Sequence, residues 1–414
     1  MSSRWHASFV LVLLPLLAAG QERTDLFARD TSSCTRIMAE GGYEMDANGI
    51  YNELLFGLMS GGYLEHELRQ RSSDALGGMN RLGQIMQVRA TVIAGDSVFR
   101  HPGLQWSVSA SHQDQGGMRF RPDVYDLTFF GNAAYEDRTA DLSGSAYERQ
   151  QFQTLGLGLY WARTGDRVRL DFVKGQSLSA VDLDDVTLYT APDGRRLDVR
   201  LNGTYWQSDT AVNGSDLRTF NGSGFAVSFS HGYLLGPEDG RHVRNRITAS
   251  VEDLGLIRWN GRSQRLEQDT SYSYEGLHVD NIFDLDGVLV GEGTVQDTLG
   301  LHFEAGVYWR VLPYRAALTY DMQWRAGWRW AFTLSQRYLP GYMPLYHLEA
   351  GKGLGKHFIG ISGQYGGFGD LRAGLRAAFQ MGPARLGLTL PNLATAFGEK
   401  GRGMAARVTL EACF

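Results

Sequence analysis

Apolar and polar residues take turns along the last third of the chain. Leu301, Phe303, Ala305, Val307, Trp309 and Val311 are interleaved with His302, Glu304, Gly306, Tyr308 and Arg310. A period of two marks a strand with one apolar and one polar face. The pattern returns at Trp328, Trp330, Phe332 and Leu334, set against Arg329, Ala331, Thr333 and Ser335. It returns again from Leu371 to Met381 and from Met404 to Phe414. Segments of about ten residues exceed the five or six of an average soluble strand and match a tilted crossing of a bilayer. Aromatics near the segment ends suit the headgroup level. The predicted fold class is all-β, a closed antiparallel transmembrane β-barrel of about 14–16 strands. A soluble β-sandwich also alternates and is the competing architecture.

From Leu301 onward the predicted strands are nearly continuous, at 301–311, 315–322, 328–337, 345–352, 358–365, 371–381, 384–390 and 404–414. Upstream they are more widely spaced. Leu54–Leu68 reads as a first strand, then Leu82–Ala94, Leu104–Ala110, Leu155–Trp161 and Val168–Phe172, with others near Leu197, Phe225 and Ile247. Residues 260–299 do not alternate and are expected to be a non-strand insertion. Residues 21–50 are polar and mixed, and read as a periplasmic N-terminal lead-in before a barrel at 51–414. Counted upward from the first strand, the short turns at Gly165, Gly355 and Gly382-Pro383 fall on one side, where bacterial barrels place their periplasmic turns.

The first twenty residues read as a secretory signal peptide. Arg4 supplies the charge, Ala7 to Leu17 the apolar segment and Ala18-Ala19-Gly20 a cleavage site. A strand ending on the aromatic Phe414 looks like the assembly signal of bacterial outer-membrane barrels, so the expected location is the cell outer membrane. The 414 residues carry 40 Lys+Arg against 45 Asp+Glu, and no basic excess points to nucleic acid. The two cysteines, Cys34 and Cys413, could pair in an oxidising compartment, since a barrel returns both chain ends to one side.

If the apolar faces meet lipid, the charges between them point inward. The lumen-facing candidates are Glu304, Arg310, Arg315, Asp321, Arg329, Arg372, Arg376, Arg385, Arg407 and Glu411. Placed in hydrocarbon, a charge would cost roughly 2–4 kcal/mol at mid-depth, so their regular segregation is informative. They form either a pair network that fills the lumen or an Arg-lined solute path.

Two motifs invite catalytic readings. Phe283-Asp284-Leu285-Asp286-Gly287-Val288-Leu289 looks like the nucleophile motif of haloacid-dehalogenase-type phosphatases. That chemistry needs a parallel strand before the motif and a βαβ context, and neither is present. A turn, or a loop site for Ca²⁺, fits the stretch better. Gly351-Lys352-Gly353-Leu354-Gly355-Lys356 resembles a phosphate-cradling loop but lacks the helix that should follow. No catalytic, metal or cofactor residues are assigned.

Several stretches together resemble one family: outer-membrane β-barrels of Bacteroidota classed as a domain of unknown function, distantly like the fatty-acid-transporter-type barrels. They are Phe129-Phe130-Gly131-Asn132, Glu252-Asp253-Leu254-Gly255-Leu256-Ile257-Arg258-Trp259, Tyr274-Glu275-Gly276-Leu277 and Leu312 to Tyr320. The final glycine-rich strands complete the likeness. An Asn-Pro-Ala motif associated with related barrels is missing near the mature N-terminus. The resemblance implies location and architecture and supplies no catalytic residues.

The expected function is non-enzymatic: a passive conduit for small or apolar solutes, or a scaffold for envelope partners. The alternatives are an outer-membrane-embedded hydrolase and a secreted β-sandwich adhesin. Expected partners are outer-membrane lipid, the barrel-assembly machinery and other envelope proteins, with no cofactor and no nucleic acid.

Overall fold

Alternating strands have unpaired edges, and closing the sheet on itself removes them. The computed structural model describes residues 34–61, 63–95, 97–162, 164–212, 216, 218–235, 243–275, 302–324, 327–394 and 401–414. The proposed signal peptide at 1–20 and the motif at 283–289 lie outside them.

In chain order the early elements are β1 (Arg36–Ala47), helices α1 (Asn52–Ser60) and α2 (His66–Asp74), β2 (Asn80–Ala94), a small ribbon of β3 (Ser97–Val98) and β4 (His101–Pro102), and β5 (Leu104–Phe120). Helix α3 (Pro122–Phe130), β6 (Arg138–Asp141), β7 (Ser145–Trp161), β8 (Asp166–Thr190) and β9 (Arg196–Gln207) follow. Next come β10 (Gly222–Leu235), β11 (Val243–Trp259), β12 (Ser263–Glu275), β13 (Glu304–Gly306), β14 (Trp309–Val311) and β15 (Arg315–Trp324). The chain closes with β16 (Trp328–Arg337), β17 (Met343–Leu354), β18 (His357–Gly367), β19 (Arg372–Met381), β20 (Ala384–Asn392) and β21 (Met404–Cys413).

Fourteen of these strands form a closed antiparallel ring, β1-β2-β5-β7-β8-β10-β11-β15-β16-β17-β18-β19-β20-β21, which shuts by pairing β21 with β1. At the seam Thr35 and Phe414 exchange two backbone hydrogen bonds of 3.0 Å, and Cys34 is disulfide-bonded to Cys413 with Cα atoms 5.7 Å apart. The turns at Gly165, Gly355 and Gly382 lie at the same end of the ring as this seam, the terminal end.

The opposite, far end carries the long connections. There β8 runs on past the ring, and its second half pairs with β9, which in turn pairs with β12. Helices α1–α3 pack against the base of this extension. Leu54, Leu55, Val124 and Leu127 join Phe120, Val186 and Leu188 in one buried cluster. Burial in it pushes the Tyr125 phenol up to about 12, and its hydroxyl donates to the Arg69 carbonyl at 3.0 Å. Among the described residues no helix is long and apolar enough to cross a membrane.

The outside of the ring is apolar. Leu157 is 68% exposed, Phe225 65% and Leu170 56%, which no water-soluble barrel of this breadth would leave uncovered. Trp330 and Phe379 also face out, while Arg329 is buried and Arg376 half-buried on the inner face. Trp106, Trp161 and Trp328 lie near the terminal-end turns, and Tyr314 stacks on Tyr338 at the far end with ring centroids 5.4 Å apart. These are the two aromatic levels of a membrane-spanning barrel.

Four expectations are corrected. The lead-in at 21–50 ends much earlier, because residues 36–47 are the first barrel strand. Its outward residues Ala39 and Gly41 are too small to show as an apolar stripe. Leu54–Leu68 is not a strand but parts of α1 and α2. Adjacent Leu54 and Leu55 are both buried, as a helix allows and a strand does not, and Gly61 (φ 68°) ends α1 in the left-handed region. The insertion at 260–299 contains strand β12 at 263–275, an exposed polar ribbon with no apolar face to reveal it. The segment 301–311 gives only β13 and β14, two three-residue strands pairing with β12 and the far end of β11. Its alternation is genuine, but it lies above the ring rather than in it.

Candidate functional site

Inward positions of the strands carry charge, and the ring brings these charges face to face. At the centre is Asp253 on β11. Two residues there, Glu252 and Asp253, oppose the single Ser228 on β10, and Asp253 adopts φ 57°. Such a bulge turns both acids inward where plain alternation would send one to lipid. Asp253 is 3% exposed. Its Oδ1 accepts from Arg169 at 3.2 Å and its Oδ2 from Gln113 at 2.9 Å, with Arg89 at 3.5 Å. Its backbone N–H donates to the Ser228 hydroxyl at 3.0 Å. Arg169 also holds Asp171 at 2.8 Å, and Arg89 lies 3.7 Å from Glu40.

Other pairs continue around the wall. Arg407 binds Glu44 at 2.8 Å, and Arg376 grips both oxygens of Glu349 at 2.9 Å. Arg329 donates to Asp321 at 2.9 Å through Nε. Arg149 holds Asp114 in a two-pronged contact of 2.9 and 2.7 Å. Arg372 binds Asp46, which also accepts from Asn392 at 3.0 Å. Between them lies a cavity of about 80 Å³, lined by Glu44, Glu252, Arg315, Arg337, His347 and Glu349 among others. That admits a few water molecules and falls well short of the roughly 300 Å³ a drug-sized solute needs.

The far-end mouth is closed from within. Phe368, fully buried, lies flat over Gly83 on the opposite wall. A Cβ on Gly83 would sit 2.1 Å from its ring. A Cβ on Gly117 would sit 2.6 Å from the Pro340 carbonyl oxygen, and Tyr342 meets Phe368 edge-on at 5.1 Å. On the other side of the lumen Phe152, Val173, Ile257, Trp259 and Leu312 form a buried apolar cluster. The Gly83→Ala variant is therefore expected to push Phe368 off its seat. The expected cost is about 1–3 kcal/mol, as for other overpacked cores, with more frequent transient ion currents than the wild type gives. Thermal unfolding and single-channel recording on the same preparation check both effects.

Of the sequence-derived candidates, Asp321, Arg329, Arg372, Arg376, Arg407 and Glu411 lie on the inner wall with a carboxylate or guanidinium partner, and Arg310, on β14 above the ring, reaches Glu148 of β7. Arg315 faces the cavity, and Arg385 sits opposite Glu411 across β20 and β21. Glu304 does not face the lumen. It is exposed on β13, opposite Arg265 of β12 and outside the ring, because the segment that carries it is not a barrel strand. Sequence reasoning missed Arg89, Asp114, Arg169, Asp171 and Asp253. The first four occupy polar positions of strands whose apolar faces were legible, whereas the bulge that aims Asp253 inward has no signature in the pattern.

The sequence profile described as "Family of unknown function (DUF5723)" matches residues 48–389. No curated protein matches the chain. Among solved structures, the chain is similar to the TodX deltaS2S3 mutant monoaromatic hydrocarbon channel at 8% identity, covering 94% of this chain and 90% of that one, with TM-score 0.43. The Pseudomonas putida toluene transporter TodX gives 8% identity, coverage of 94% and 89%, and TM-score 0.41. A mutant of the Rh. blastica porin gives 7%, coverage of 92% and 100%, and TM-score 0.27. At these scores the likenesses carry no weight of their own, and the fold rests on the strand pairing.

Proposed function

The chain belongs to a family of unknown function, DUF5723, and from that footing we propose that it is a non-enzymatic outer-membrane barrel with a closed lumen that serves as a scaffold for envelope partners. The terminal end, with its short turns and both ends of the described chain, faces the periplasm, and the far end faces outward. One observation carries the reading: among the described residues, paired charges line the inside of the ring and the cavity between them measures about 80 Å³. A barrel filled in this way holds its wall rigid and does not conduct, and what it offers partners is the sheet and helices at its far end.

Passive conduction of small or apolar solutes is the second reading, favoured by how the mouth is shut. Phe368 and the segment 338–342 are loop residues resting on glycines, and a loop can leave while the ring stays intact. Planar-bilayer recording separates the two. The wild-type protein is expected to insert without steady conductance. A large, stable, ohmic current would overturn the scaffold in favour of the conduit. Labelling by a serine-directed probe would instead support a hydrolase.

A further inference from the structure

The cavity wall holds more guanidinium groups than the ion-pair network uses, with a histidine beside them. Glu44 is taken by Arg407, and Glu349 by Arg376. Glu252, in register with Arg315 and on the same cavity wall, lies 3.9 Å from Arg167. Arg315, Arg337 and His347 remain on the same wall with no carboxylate within 4.0 Å among the described residues. They stand on three consecutive strands: Arg315 of β15 is in register with Arg337 of β16, and β16 pairs with β17, which carries His347. Arg337 is only 9% exposed. Its Nη1 donates to Gln115 and to the Pro313 carbonyl, while its Nε has no partner. His347 is as buried, and its Nδ1 has none either. The Arg337 Nε–H is a buried donor without an acceptor, and the His347 Nδ1 is a second one in its Nδ1–H tautomer; such groups are uncommon and ask for an occupant that can accept.

We propose that Arg315, Arg337 and His347 hold a small free oxyanion, of the size of inorganic phosphate, inside the barrel. The cavity volume, about 80 Å³, suits one such ion. The strand geometry supplies two guanidinium forks side by side, the arrangement that grips oxyanions best. The site goes beyond the scaffold reading and does not depend on it, since an ion can be held whether or not the barrel conducts.

The test uses the full-length protein in detergent, with inorganic phosphate exchanged for chloride at constant ionic strength. Binding is read by equilibrium dialysis of radiolabelled phosphate, and stability by the temperature at which the folded band is lost on a gel. The expected result is one saturable site and a transition that rises with phosphate, as binding to the folded state requires. The Arg315→Gln variant removes a side chain with no ion pair to lose, so it should fold and bind at least tenfold more weakly. Arg337→Gln should do the same, and the outward-facing Arg258→Gln should bind as the wild type does. Absence of saturable uptake by folded protein, an equal effect of chloride, or unchanged uptake by Arg315→Gln would each overturn the site. If Arg337→Gln fails to fold, Arg315→Gln still decides.

Discussion

The Asp253→Ala variant is expected to lose about 3–5 kcal/mol of stability, the cost of breaking a buried ion pair by removing one partner. Asp253 neutralises Arg169 at 3.2 Å and Arg89 at 3.5 Å, and both guanidiniums are themselves buried. Without it, the nearest carboxylate to Arg89 among the described contacts is Glu40 at 3.7 Å, and Arg169 keeps Asp171 at 2.8 Å. Ala at φ 57° adds backbone strain. Asp253→Asn separates the two effects. Asn tolerates the left-handed region and keeps the side-chain shape, so its loss reports the charge alone and should be smaller. Denaturant unfolding in lipid vesicles measures both. A cost below about 0.5 kcal/mol for Asp253→Ala, the scale of a surface substitution, would show that the network does not hold the wall together.

Replacing Cys34 or Cys413 by Ser is expected to cost roughly 5 kcal/mol. The crosslink joins residues 379 apart in sequence, and in the chain-entropy account the stabilisation grows with the loop closed. The bond sits beside the β1–β21 seam, where the ring must find its own ends. Its loss should therefore also slow closure, since long-range pairing limits folding of such sheets. Cys34→Ser, Cys413→Ser and the double variant should lose the same amount, because each removes one shared bond. A double variant clearly worse than either single one would mean that the thiols matter separately. Loss of the folded gel band at lower temperature, with and without reductant, reads the result.

Much of the ring was legible because lipid enforces alternation. β16 falls at Trp328–Arg337, as the pattern predicts, and β18, β19 and β21 agree within two residues at each end. Where that constraint is absent, the sequence misleads. β12 is exposed and polar, so nothing distinguishes it from a loop. β13 and β14 alternate convincingly but belong to the far-end assembly. β1 was hidden by the small outward residues Ala39 and Gly41. The lumen was legible by sign but not by partner. Arg329, Arg372 and Arg376 could be assigned inward from alternation, whereas pairing Arg372 with Asp46 joins residues 326 apart and needs the closed ring. The closure of the mouth by Phe368 on Gly83 had no sequence signal, since a glycine facing a ring across a barrel looks like any other strand glycine.

β8 has a last consequence. Its 25 residues, at about 3.3 Å each, run to roughly 80 Å, about three times the height of the apolar band of an outer-membrane barrel. With β9 and β12 alongside, the ribbon lifts Tyr189, Arg200 and Ser271 clear of the bilayer. In the proposed orientation, with the far end outward, these side chains would stand above the lipid headgroups in the surrounding water.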